Sequence, residues 1–252
     1  MPKITTASSE SNRVHPLRPK QIDTRTRRKE SNPGSYLFRV SIDEVHDPII
    51  ERYLCVPYDF SFLRFATVLI NACGWSRDPF SERLWSFEIR TTDGQTLQDD
   101  AEFKDDAADI AIAMGRTPDD IRVARSWSLR KMFEQHLQTG SAPLYIEFEY
   151  GARWDHRIEL LGMASPTERA DRGFPEKQQV FCYEGHGHPI SETCRGVEAW
   201  TQMKALFADP VEKDGLDVRD YYKHQSVHGF GGLDPYAYCP VLVNSKLKYI
   251  AR

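Results

Sequence analysis

The sequence lacks the features that mark membrane, secreted and disulfide-linked proteins. No apolar run approaches the ~20 residues that a membrane helix needs. The N-terminus has no apolar core of a secretory signal peptide, so we expect an intracellular protein, located in the cytoplasm or the nucleus. The five cysteines are an odd number spread over 252 residues, which does not fit a disulfide framework.

Charge is distributed unevenly along the chain. The formal net charge is -4, which does not favour a protein coated in nucleic acid. Residues 1–34 are nevertheless rich in Ser, Thr, Pro, Arg and Lys, and their few aliphatic side chains cannot offset the entropy of ordering. We therefore predict a disordered basic tail over residues 1–34. Its basic cluster consists of Arg25, Arg27, Arg28 and Lys29. This cluster is a candidate for phosphate binding or nuclear import. The simpler interpretation is that the tail is a solubilising leader.

Apolar periodicity predicts a single α+β domain over residues 35–252. Alternation with period two predicts strands at 35–42, 50–57, 84–90, 144–150 and 154–163. Helical spacing predicts helices within 59–75, 126–137 and 195–210. This order favours a mixed or antiparallel sheet with the first helix across one face, as in a β-grasp-like roll.

Two regions of the predicted domain lack such periodicity. Residues 91–120 carry nine acidic side chains and predict an acidic excursion that contains a short helix around 105–114. The end of the chain, from His228 onward, is full of turn residues and predicts irregular structure.

The stretch CYEGHGHPISETC places two thiols and two imidazoles within one short predicted loop. Zinc takes four nitrogen or sulfur ligands, and thiolate and imidazole suit it. Cys182, His186, His188 and Cys194 are therefore candidate zinc ligands, with glycines that let the backbone wrap closely. The spacing is not that of a standard zinc finger. A polar surface loop with half-buried thiols and exposed imidazoles is the alternative interpretation.

His156 is the other polar residue that the pattern singles out. Counting by twos from Trp154 places His156 on the core side of its strand and Asp155 on the opposite side. His156 is then either a hydrogen-bonded structural residue or an acid–base group in a polar pocket with Asp155 and Glu184. No nucleophile–base set, phosphate loop or metalloprotease helix is recognisable, so catalysis is not favoured.

Four blocks of the sequence, taken in order, resemble the plasmid pRiA ORF-3-like family. The most specific piece is the aromatic-Gly-x-x-Trp-acid-His pattern from Tyr150 to His156, and Asn244 near the end supports it. The resemblance implies a small α+β domain without an assigned activity. The blocks are YLFRVSIDEVHDPIIERYLCVP with a helix ending NACGW, LYIEFEYGARWDHRIELLGM, the segment 182–196, and GGLDPYAYCPVLVN.

The resemblance also bears on the candidate zinc loop. Typical members have a Cys-Pro-Pro-Glu-Asp-Cys-Gly-Gly loop preceded by another cysteine. Cys182 and Cys194 match the outer cysteines of that pattern, and His188 lies near its middle cysteine. A metal site tolerates the exchange of cysteine for histidine. Members often have His-Leu-His where this chain has Arg-Leu-Trp at 83–85, and two aspartates at 152–153, which implies that a polar site of the relatives is altered here.

Three functions from different classes are consistent with these patterns. The first, which we favour, is a non-catalytic binding module with a protein partner and a loop pinned by zinc. The second is a nucleic-acid-associated protein of mobile-element origin that uses the basic tail. The third is a metal-dependent hydrolase with an open metal position and His156 or Glu184 as its acid–base group.

Overall fold

The computed structural model of the chain describes residues 34–75, 85–91, 102–104, 121–139, 144–150, 154–175, 178–191, 194, 196–208, 219–220, 222 and 233–250. Within these residues the chain forms eight strands and five α-helices. Residues 1–33 of the predicted tail and the predicted helix around 105–114 lie outside them. None of the described helices is long and apolar enough to cross a membrane.

The elements follow the predicted α+β order. The strands are β1 (Ser35–His46), β2 (Ile49–Pro57), β3 (Trp85–Thr91), β4 (Glu102–Lys104), β5 (Ile121–Val123), β6 (Leu144–Tyr150), β7 (Trp154–Ala164) and β8 (Phe181–His186). The helices are α1 (Phe62–Ala72), α2 (Leu129–Thr139), α3 (Pro166–Asp171), α4 (Val197–Ala208) and α5 (Pro240–Leu247).

The strands form one open mixed sheet in the order β5-β4-β3-β6-β7-β1-β2-β8. Neighbouring strands run antiparallel except β4 and β5, which are parallel. The predicted α+β class and mixed sheet are confirmed, whereas the β-grasp-like roll is not confirmed. The four strands from β7 to β8 position the residues discussed below.

One face of the sheet is covered by α1, as predicted. The helix begins after Ser61, whose side chain accepts a hydrogen bond from the Arg64 amide (3.3 Å), and most of its residues are buried. The aromatic rings of Phe38 on β1 and Phe65 on α1 lie 4.9 Å apart. The buried side chains of β1 and α1 thus form a single core. We call this the inner face of the sheet.

Two predictions for the last third of the chain are wrong. The predicted loop at 182–194 begins as strand β8, which pairs with β2. The predicted irregular end contains α5, which starts with Pro240 at its first position. Asn244 of α5 lies against the free edge of β8, where its side chain accepts from the Cys182 amide (2.9 Å) and donates to the Cys182 carbonyl (2.8 Å). The amide of one side chain thus covers the edge of the sheet.

Candidate functional site

Cys182, the first candidate zinc ligand, points into the protein from β8. Its buried thiol donates to the Glu184 carbonyl (3.2 Å), and its sulfur lies 3.2 Å from the Tyr238 hydroxyl. Burial raises the pKa of the Cys182 thiol, which favours the protonated form. Cys182 is therefore part of the packing between β8 and the segment before α5.

The two candidate histidines lie apart from Cys182 and from each other. The His186 side chain is 58% exposed, and its Nδ1 lies 3.6 Å from Glu51 Oε2. Beyond Gly187, which has a φ of 71°, the chain turns so that His188 is buried with its Nδ1 2.8 Å from the Tyr222 hydroxyl. A Cβ atom at position 187 would meet the Ile49 carbonyl at 2.7 Å, so this turn requires glycine.

Cys194, the fourth candidate, is buried elsewhere in the core. Its sulfur lies 3.8 Å from the Met203 sulfur on α4, and burial raises the pKa of its thiol to about 11. The described residues, which include all four candidates, contain no group of three or more His, Cys, Asp or Glu side chains that could hold a metal ion. The structure therefore does not support the predicted zinc site. The reason is the shift in the pairing of β8 with β2 at Tyr183, which reverses the alternation, so that Cys182 points inward and His186 points outward.

The candidate acid–base residues do not share a pocket. His156 is fully buried on the inner face, as predicted, with its Nδ1 2.9 Å from the Trp154 carbonyl oxygen and its ring edge-on to Trp75. Asp155 and Glu184 are exposed and lie on the opposite face. An acid–base role for His156 or Glu184 stays a prediction. The basic cluster at Arg25–Lys29 lies outside the described residues.

A buried guanidinium holds the segment for which zinc was predicted. Arg52 on β2 donates to the carbonyls of Ala72 (3.1 Å), His186 (2.6 Å) and Gly187 (3.1 Å), and also to that of Glu51 (2.6 Å). These bonds join the end of α1, the end of β8 and the turn after it. This role of Arg52 could not be predicted from the sequence, because an arginine in a strand of period two does not by itself indicate burial.

The face of the sheet opposite α1, which we call the outer face, carries two rows of mostly polar side chains across β7, β1, β2 and β8. Strand register places the members of each row side by side. The first row is Glu159, Arg39, Tyr53 and Glu184, and the second is Arg157, Ser41, Glu51 and His186.

Ion pairs connect these rows at their centre. Arg39 donates through Nε to Glu51 Oε1 (2.9 Å) and lies 3.4 Å from Glu159 Oε2. Arg157 donates to Glu159 Oε1 at 3.0 Å. Two guanidinium groups thus balance two carboxylates. Asp43, Asp155 and Glu184 add three carboxylates around these ion pairs, and the Arg172 guanidinium lies 5.7 Å from the centre of the Tyr183 ring on the same face.

A second exposed surface lies on α5. Val243 and Leu247 face the core, whereas Val241, Leu242 and Tyr249 are exposed on another side. At 100° per residue, positions 241, 242 and 249 fall within an arc of about 100° on one side of the helix and the turn that follows it. We call these three residues the C-terminal stripe. The Pro240 start and the apolar pair that follows are the only sequence signals for it.

The comparisons with known proteins agree with this fold. The family described as plasmid pRiA4b ORF-3-like protein matches residues 34–237. A crystal structure of a protein of unknown function from Methanosarcina mazei Go1 superposes with a TM-score of 0.56 at 16% sequence identity, over 82% of this chain and 96% of that one. No curated protein matches the chain. At that identity the structural likeness extends to the fold alone.

Proposed function

This chain belongs to the plasmid pRiA4b ORF-3-like family, and from that premise we propose that it is a non-catalytic protein-binding module. The C-terminal stripe docks an acidic, amphipathic segment of the partner. The observation that carries the proposal is the exposure of Val241 (74%), Tyr249 (78%) and Leu242 (46%) on one side of α5 and the turn that follows it. Clustered apolar side chains on a protein surface mark interaction sites, whereas single ones are ordinary.

Charge next to the stripe indicates the chemistry of the partner. Lys246 and Lys248 are exposed on α5 and the turn that follows it, and Lys248 Nζ lies 4.8 Å from the centre of the Tyr249 ring. An apolar surface bordered by ammonium groups favours a segment with apolar residues on one side and carboxylates at the edges.

The thiols of the core support a role without catalysis. Burial raises the pKa of Cys73 to about 12 and that of Cys194 to about 11. A thiol with so high a pKa is protonated at neutral pH, and the protonated form is neither a nucleophile nor a metal ligand. The buried imidazoles of His156 and His188 are each hydrogen-bonded within the core.

Synthetic peptides test the proposal. A fluorescent amphipathic helix of Leu and Glu should bind the full-length chain, and a matched helix of Leu and Lys should bind at least about tenfold more weakly. Fluorescence anisotropy measures both affinities. The Val241→Glu/Tyr249→Glu variant should no longer bind the Leu/Glu peptide more tightly than the Leu/Lys peptide, because it removes apolar area and reverses the local charge.

Ala205→Glu is the control for an added glutamate elsewhere, since it places one negative charge at an exposed position of α4. This variant should bind the Leu/Glu peptide as the wild type does. Equal affinity for the two peptides, or unchanged binding by Val241→Glu/Tyr249→Glu, would contradict the proposal.

A further inference from the structure

Most of the large exposed apolar side chains that the structure describes lie in two regions of the molecule. Tyr236, Val241, Leu242 and Tyr249 belong to the C-terminal segment. Ile49, at the start of β2, and Leu161, near the end of β7, lie on or beside the outer face of the sheet, whereas Met163 pairs with the inner-face residue Tyr36. Apart from Met163, the exposed apolar side chains thus belong to the C-terminal segment, which carries Lys246 and Lys248, or to the outer face, which carries several carboxylates.

Strand alternation explains why Ile49 and Leu161 join the acidic surface. Ile49 precedes Glu51 by two residues on β2, so both project from the outer face. Leu161 is the extra residue where the pairing of β7 with β1 shifts, and it follows Glu159 on the same face. Along the strand direction, Leu161 therefore lies beyond the first polar row and Ile49 lies beyond the second.

We infer that the outer face is the partner surface for the C-terminal stripe, and that the partner is a second copy of this chain. This inference rests on the proposed function, because it identifies the acidic segment as the outer face. Lys246 and Lys248 of one copy would then lie next to carboxylates of another, such as Glu184 and Asp43. Val241, Leu242 and Tyr249 would cover Ile49 and Leu161.

The dimensions of the two surfaces agree. From β7 to β8 the outer face spans three strand spacings, about 14 Å. An eight-residue helix such as α5 is about 12 Å long, and its diameter with side chains is about 10–12 Å. One helix therefore fits on one face.

Charge also decides between the two ways of pairing identical chains. Stripe against stripe would bring Lys246 and Lys248 of both copies together, and the like charges would repel. Stripe against outer face pairs opposite charges, and the contact is then heterologous. A heterologous contact leaves one free stripe and one free face at the ends of every assembly, so it builds open chains or closed rings rather than a simple dimer.

Sedimentation velocity on the full-length chain tests this inference with two variants. The stripe variant is Val241→Glu/Tyr249→Glu, and the face variant is Ile49→Lys/Glu184→Lys. Wild-type protein should form species larger than a dimer as its concentration rises, and each variant alone should remain a monomer. An equimolar mixture should form a dimer and nothing larger, because only one intact stripe and one intact face can meet.

The wild type provides a second measurement that needs no variant. Raising the ionic strength from about 0.05 M to about 0.5 M shortens the Debye length and should weaken self-association by about tenfold or more. Ala205→Glu should associate as the wild type does. Association that is unaffected by salt, or that persists in both variants, would overturn the inference.

The outcomes separate this inference from the function on which it rests. A wild-type chain that stays monomeric at every concentration but binds the Leu/Glu peptide through the stripe would overturn self-association and leave the proposed function intact. A mixture of the two variants that remains monomeric, with both variants folded by circular dichroism, would also overturn the inference. A chain that neither associates nor binds the peptide would overturn both.

Discussion

At the scale of the residue, Arg52 has the most consequential environment of the charged side chains that the structure describes. It is 1% exposed, and its hydrogen bonds go to four backbone carbonyls, with the Tyr238 ring 5.1 Å away. Burying a charge is costly unless the group is hydrogen-bonded, and the forked guanidinium reaches these separate carbonyls at once, which a single ammonium group could not do. Arginine at this position therefore fixes the turn after β8.

Replacing Arg52 by Met should lower the free energy of unfolding by about 3 kcal/mol, because the carbonyls of Ala72, His186 and Gly187 would lose their donor. Urea unfolding followed by tryptophan fluorescence measures the change. Arg64→Met is the control, since Arg64 is exposed and lies over the Phe60 ring, and it should change stability by less than about 0.5 kcal/mol. Equal stabilities of the two variants would refute this role for Arg52.

The candidate site could be predicted only in part from the sequence. The inward direction of His156 followed from the alternation of β7, because the pairing of that strand with β1 stays in register from His156 to Leu160. The directions of Cys182 and His186 could not be obtained in that way. Tyr183 is an extra residue in the pairing of β8 with β2, and residue types alone do not reveal such a shift.

At the scale of the element, α5 completes the sheet as well as presenting the stripe. An edge strand exposes unpaired amide and carbonyl groups that can pair with another chain. The side chain of Asn244 occupies one such pair on β8 while the rest of α5 packs against the core. The same helix therefore both closes the sheet and carries the proposed docking surface.

Asn244→Leu should lower the free energy of unfolding by about 1–3 kcal/mol, since the Cys182 amide and carbonyl lose their partner while the volume is nearly kept. It should also speed aggregation on heating, because the edge of β8 is freed. Thermal unfolding with light scattering measures both effects. Ser245→Ala, which removes a hydroxyl bonded within α5, should leave both near wild type. Matching behaviour of the two variants would contradict the role of Asn244.

The elements themselves were predictable where they are long and locally periodic. β1, β2, β7 and α1 each keep one period over most of their length, and the structure confirms them even though the pairing of β7 with β1 shifts at Leu161. β8 and α5 do not, because β8 has six residues interrupted by a shift in pairing and α5 has eight residues that begin at Pro240. Short elements of this kind form through contacts with distant parts of the chain, which periodicity does not record.

At the scale of the whole molecule, stability should depend on pH in the alkaline range. Burial raises the pKa of Cys73 and of Tyr36 to about 12, and that of Cys194 to about 11. The neutral forms persist in the folded chain after the unfolded chain has begun to ionise, at the ordinary thiol pKa of 9.0. These groups therefore do not change stability below about pH 9, and stability is lost as pH rises above it.

The free energy of unfolding in urea, measured under reducing conditions from about pH 8 to about pH 10.5, should accordingly fall. The Cys73→Ala variant should be less stable at neutral pH because it leaves a cavity, yet its stability should fall less steeply over that range. Cys239→Ala is the control, since Cys239 is exposed. Parallel curves for the wild type and Cys73→Ala would contradict this account.

The contact between Asn244 and β8 also has a consequence for synthesis of the chain. The two partners, Cys182 and Asn244, are 62 residues apart. At the usual pace of translation, roughly 3–12 s pass between them. During that interval the nascent sheet has β1, β2 and β8 available but no C-terminal helix to close its edge. The ribosome-bound intermediate is therefore the form of this protein most exposed to mispairing with a neighbouring chain, and the one with most need of a chaperone.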